Sequence, residues 1–112
     1  MVGKPSHIEL GAPDPARAKA FFSSLFGWTF HDTGNGAWID MSGVRGGLHR
    51  DEPWVQVFFS VPDLDDAAKR IVALGGEVGE GSSEGPEGKY LHSCRDDQGV
   101  PFGLHQPRSQ SA

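Results

Sequence analysis

The stretch from His7 to Trp28, HIELGAPDPARAKAFFSSLFGW, decides how the chain is read. It opens as a short strand-like run, breaks at Gly11-Ala12-Pro13, and then takes up a helical period. Asp14 is suited to cap that helix, and Pro15 to its first position, where the missing N–H costs nothing. Ala18, Phe21, Phe22, Leu25 and Phe26 follow at i, i+3, i+4, i+7 and i+8, one apolar stripe expected to lie in the core. Gly27 supplies a left-handed stop.

The same pattern recurs further along. A shift of 49 positions lays Pro13-Asp14 on Pro62-Asp63, Ala18 on Ala67, Leu25 on Leu74 and Gly27 on Gly76. It also lays His7 on Gln56. In the second helix Asp65 and Asp66 complement the positive end of the dipole, and Leu64, Ala67, Ile71 and Leu74 form the stripe. The module ends match at a shift of 56, Val44–Arg50 on Val100–Gln106, with Gly-Leu-His in common. The difference of 7 calls for a longer loop in the second copy, and the polar segment Glu80–Gly88 is expected to be that loop.

Strands are expected near Ser6–Gly11, Trp28–His31, Ala37–Met41, Val44–His49, Trp54–Val61, Glu77–Gly79, Lys89–Cys94 and Val100–Gln106. Asn35-Gly36, Ser42-Gly43 and Gln98-Gly99 are turn pairs. The expected fold is therefore α+β: two βαβββ modules in one domain spanning 1–112. Module one covers about 1–50 and module two about 51–106, with a tail at 107–112. Such modules must pair to bury their sheets, giving pseudo-twofold curved sheets around a cleft. Lining positions then come in pairs, His7 with Gln56 and His49 with His105.

Composition narrows the function. A net charge of −5 without a basic cluster argues against a nucleic-acid face. No apolar run approaches the roughly 20 residues of a membrane span, and no signal pattern opens the chain, so a cytoplasmic location is expected. Cys94 stands alone and cannot form an internal disulfide; with Arg95 on the opposite strand face, it reads as an inert thiol.

Three segments carry a resemblance: His7–Trp28, Phe58–Val78 (FFSVPDLDDAAKRIVALGGEV) and Asp96–Gln106 (DDQGVPFGLHQ). They resemble the opening strand and helix, the second helix, and the closing turn and strand of the vicinal oxygen chelate superfamily. Glyoxalase I, bleomycin-resistance proteins and extradiol dioxygenases belong to it, and the nearest likeness is to small glyoxalase-like proteins. The resemblance implies that metal-dependent members hold a divalent ion (Zn, Ni, Mn or Fe) by four ligands, two per module, and use it as a Lewis acid. By similarity those positions are His7, Gln56, Gly47 and Gly103. Glycine offers no side chain, so His7 and Gln56 form an incomplete metal set, and no bound cofactor is expected.

His7 and Glu9 share one strand face, with Glu9 a candidate base. Trp38 and Phe58 are candidates for cleft lining. His49 and His105 each lie two residues beyond a glycine, about 7 Å along the strand. They read as rim residues that could join a ligand or substitute metal site; His31 and His92 read as surface. The expected function is a small-molecule-binding protein without a complete metal site, taking a planar or oxygen-rich ligand. The alternatives are a divalent-metal lyase or isomerase of the glyoxalase type, and a structural module with a vestigial cleft. The resemblance and the open sheet edges together point to a homodimer.

Overall fold

The computed structural model describes residues 2–34 and 36–108. Asn35 of the expected Asn35-Gly36 turn and the tail beyond Arg108 lie outside the described residues. The elements are β1 (Pro5–Ala12), α1 (Pro15–Phe26), β2 (Thr29–Asp32), β3 (Gly36–Asp40), β4 (Arg45–Arg50), β5 (Trp54–Ser60), α2 (Leu64–Ala73), β6 (Ser82–Gly85), β7 (Gly88–Arg95) and β8 (Pro101–Pro107). They fall into two compact units. One is formed by residues 7–55, the other by residue 56 onward together with the N-terminal residues up to 6.

In the first unit β1 runs parallel to β4, and β3 and β2 follow antiparallel, in the order β2-β3-β4-β1. The second repeats this arrangement, with β5 parallel to β8 and then β7 and β6 antiparallel. The α+β fold of two βαβββ modules is therefore the one adopted. The registers match as well: Glu9 pairs with Gly47 in the first unit, and Phe58 with Gly103 in the second.

Alternation along β1 and β4 separates two faces. Leu10 and Leu48 enter a core with Ala37, Ile39 and Met41. Ile39 and Leu48 are almost fully buried, so cutting either to alanine would cost about 2–5 kcal/mol. The helix above forms as its sequence dictates. Asp14 accepts a hydrogen bond from the Arg17 N–H, and Gly27 closes the helix at φ 74°.

Ala18 and Phe22 rest on the core. Phe21, Leu25 and Phe26, expected there too, are 61%, 59% and 56% exposed. A stripe five residues wide exceeds what one line of helix–sheet contact can cover. Ala18 and Phe22 take that line, while Phe26 stacks on Phe22 and meets Trp28 at a tilt.

The second unit is seated differently. Asp63 caps α2 through the Asp66 N–H, but none of the helix is fully buried. Leu64, Ala67 and Ile71 are half-buried, and Leu74 is exposed. A cavity of about 270 Å³ lies along the helix, lined by Val2, Val61, Ala67, Ile71 and Leu104 among others. The N-terminal segment ties in here, Gly3 N–H donating to Ser60 O and Ser60 N–H to Lys4 O.

Two expectations are corrected in this unit. Ser82–Gly85, taken for loop, is an edge strand paired with β7, whereas Glu77–Gly79 contributes only a bridge between Glu77 and Arg95. Ser-Ser-Glu-Gly carries no apolar alternation because an edge strand can be held by its backbone alone. Pro107 belongs to β8, and Arg108 donates to the carbonyls of Pro86 and Gly85, so the ordered chain runs past Gln106.

Candidate functional site

On the face of the first unit opposite its core, three side chains form one hydrogen-bonded group. Glu9 is 8% exposed, and both its oxygens are engaged. His7 Nε2 lies 2.8 Å from Oε2, and His49 Nε2 lies 2.5 Å from Oε1. Alternation puts His7 and Glu9 on one face of β1, and the parallel register brings Glu9 opposite Gly47, one step from His49 on that face. A carboxylate only accepts, so both imidazoles must donate from Nε2–H. Burial pushes the Glu9 carboxyl up. The hydrogen bonds and charge of His7 and His49 outweigh it and hold the group below its ordinary value.

The glycine opposite makes this possible. A β-carbon on Gly47 would collide with Glu9 Oε2, so the Glu9 carboxylate fills the space where a residue-47 side chain would stand. Trp54 lies across Gly11 in the same way and is anchored by Nε1–H donating to Asp51 at 2.9 Å. Its ring is 6.5 Å from that of His49, at an interplanar angle of 19°. Towards the edge of the sheet, Trp38 stacks with His31 at 3.8 Å and carries the Arg45 guanidinium at 4.1 Å.

In the second unit the equivalent positions carry other chemistry. The Phe58 ring fills the space over Gly103 and is completely buried. Tyr90 and His92 meet it edge-on at 5.8 and 5.0 Å. Gln56 accepts the Ser93 N–H at 3.0 Å through Oε1; Ser93 sits at φ 61° beside a bulge in β7. His105 is not a rim residue: it is 6% exposed and stacked on Tyr90. Its Nε2–H donates to the Glu87 carbonyl at 2.9 Å, so Nδ1 accepts the Ser6 hydroxyl at 2.8 Å. His92, read as surface, is half-buried and hydrogen-bonded to Ser83. Cys94 is fully buried, which pushes its thiol up and leaves it unreactive.

The bond between Glu9 and His49 and the seat of His105 went unread in the sequence. The available signal was a glycine set across the sheet from a large residue.

A family model described as a glyoxalase-like domain matches residues 7–105. The chain belongs to the glyoxalase-like family. Among curated relatives, "Putative glyoxylase CFP32" of Mycobacterium bovis is 26% identical over 93% of this chain and 46% of its own length. "Anthracycline biosynthesis protein DnrV" of Streptomyces peucetius is 30% identical over 68% of this chain and 37% of its own. The chain thus spans less than half the length of these relatives. Methylmalonyl-CoA epimerase from Mycobacterium tuberculosis shares the fold, with a TM-score of 0.64, 19% identity and coverage of 96% of this chain and 90% of that one.

The metal site implied by the wider superfamily can be tested against these glyoxalase-like residues. Gln56 has its oxygen on a backbone N–H, the place over Gly103 holds a phenyl ring, and the carboxylate over Gly47 is gripped by two imidazoles. Among the described residues no group of three or more His, Cys, Asp or Glu is arranged to hold an ion. The residues at the implied positions do not fit a divalent cation.

Proposed function

We propose that this glyoxalase-like protein binds a small molecule without a resident metal ion, using His7, Glu9 and His49 as its polar anchor. The observation that carries the reading is the Glu9 carboxylate standing in the space over Gly47 with both oxygens held by imidazole N–H groups. Two imidazole donors supply locally the stabilisation that a cation would otherwise give a buried carboxylate. The group is preformed, with Trp54 beside His49 and Trp38 opposite Gly47 in the sheet, the mixture of few polar and several aromatic groups expected of a ligand site. Gln56, Phe58 and His105 are engaged within the second unit instead: Gln56 on the Ser93 N–H, Phe58 wholly buried over Gly103, and His105 buried against Tyr90. The relatives, by name a "Putative glyoxylase" and an "Anthracycline biosynthesis protein", agree with small-molecule chemistry.

A second reading, proton transfer in a lyase or isomerase reaction, is favoured by the contact between Glu9 and His49, since an imidazole backed by a carboxylate can carry a proton. The deciding experiment pairs elemental analysis after incubation with zinc, nickel, manganese and iron with tryptophan fluorescence on adding a planar probe. A fluorescence change without stoichiometric metal is expected. One ion per chain, lost in His7→Ala, would overturn the metal-free reading. The protein is further proposed to act as a homodimer, and sedimentation as a clean monomer would remove that part.

A further inference from the structure

We propose that His49 is the residue that meets the ligand, and that the ligand offers it a hydrogen-bond donor, such as a phenolic hydroxyl, on a planar ring. This rests on the binding function proposed above and adds the polarity of the contact. Glu9 accepts and cannot donate, so the hydrogen on His49 lies on Nε2, pointing inward. The other ring nitrogen, Nδ1, is then an acceptor in the neutral imidazole. The His49 side chain is 56% exposed while that of Glu9 is 10% exposed, so the outward part of the pair is the imidazole. The carboxylate behind it raises the electron density of the ring and makes Nδ1 a better acceptor.

The surroundings select a donor over an anion. Asp51 accepts from the Trp54 indole that lies beside the His49 ring, and Glu9 lies behind that ring, so two carboxylates flank this point. The nearest cation on the same strand face is Arg45, four residues back along β4 and stacked on Trp38. Planarity follows from Trp54. Its indole is fixed by Asp51 and by the bare backbone of Gly11, and it sets an aromatic wall nearly parallel to the His49 ring. A ring resting there would bring a hydroxyl on its edge to the imidazole. The ligand's polar end would thus be a donor, whereas a chelated ligand approaches a metal through its lone pairs.

Calorimetric titration with 1-naphthol, its methyl ether and 1-naphthoate tests this in the wild type, His49→Phe and Glu9→Gln. Circular dichroism first confirms that each variant is folded. The naphthol should bind about tenfold more tightly than the ether, the worth of one hydrogen bond, and the naphthoate least tightly. His49→Phe keeps a ring but has no acceptor. It should erase the preference for the naphthol over the ether, and Glu9→Gln should narrow that preference. Equal binding of naphthol and ether to the wild type would overturn the donor contact while leaving the binding function standing. Tightest binding of naphthoate would overturn the polarity. A preference for naphthol that survives in His49→Phe would overturn the assignment to His49. No binding of any probe, with fully folded protein, would count against the binding function itself.

Discussion

Gly47 and Gly103 occupy the same place in the two modules, and each leaves a gap that a neighbouring strand fills. In the first module the filler is the Glu9 carboxylate, held by two imidazoles; in the second it is the Phe58 ring, enclosed by Tyr90 and His92. One backbone device therefore yields a charged, partly open group on one side and an apolar, closed one on the other. The division of labour between the modules is set by what residues 9 and 58 put over a glycine.

The contrast can be broken most forcefully at the aromatic end. Phe58→Ala should cost about 3–5 kcal/mol, because the ring is wholly buried and its void cannot collapse onto a glycine. Denaturant unfolding would measure it, and a loss under about 1 kcal/mol would mean that the ring is not the keystone of its module.

Adding a methyl group at each glycine is the next lever. Gly103→Ala should destabilise by about 1–3 kcal/mol, and by more than Gly47→Ala, since a packed ring yields less readily than the end of a flexible carboxylate. Each cost should shrink when the filler is cut back as well, as in Phe58→Ala/Gly103→Ala. Strict additivity in the double variants would disprove the filling of the gap.

The charged end should show itself in acid. The folded-state value of Glu9 lies below its ordinary 4.5. Its contribution is therefore fully present above that value and is lost as pH falls through the lowered one. Glu9→Gln should flatten the stability–pH curve in that window by a fraction of the wild-type change, with Phe58→Leu as the control that leaves the slope alone. An unchanged slope in Glu9→Gln would show that its histidine bonds do not stabilise the carboxylate.

The smallest expected difference lies between the helices. Amide exchange should be faster in α2, which buries no residue completely and lies beside a cavity, than in α1, where Ala18 and Phe22 rest on the core.

Much of this was legible in the residues. The shifts of 49 and 56 already imply that Glu9 matches Phe58 and that Gly47 matches Gly103, which is the register the strands adopt. Both helix caps and the position of Gly27 followed from local chemistry alone. What escaped is what depends on side-chain reach and on the roll of an element. His49 was judged by its distance along β4 from Gly47, while Glu9 arrives from the adjacent strand and closes the gap. The exposure of Phe21 and Leu25 depends on how α1 rolls on its sheet, which an apolar stripe leaves open. Ser82–Gly85 pairs through its backbone, so its polar side chains could not announce a strand.

The occupied space over Gly47 also constrains the order in which mutations could accumulate. A side chain at position 47 meets the Glu9 carboxylate, so a carboxylate there would be disfavoured while residue 9 remains glutamate and acceptable once it is small. Conversely, shortening residue 9 first leaves His7 and His49 without their shared acceptor until position 47 supplies another. The two positions form a ridge in sequence space, crossed most easily when both change together.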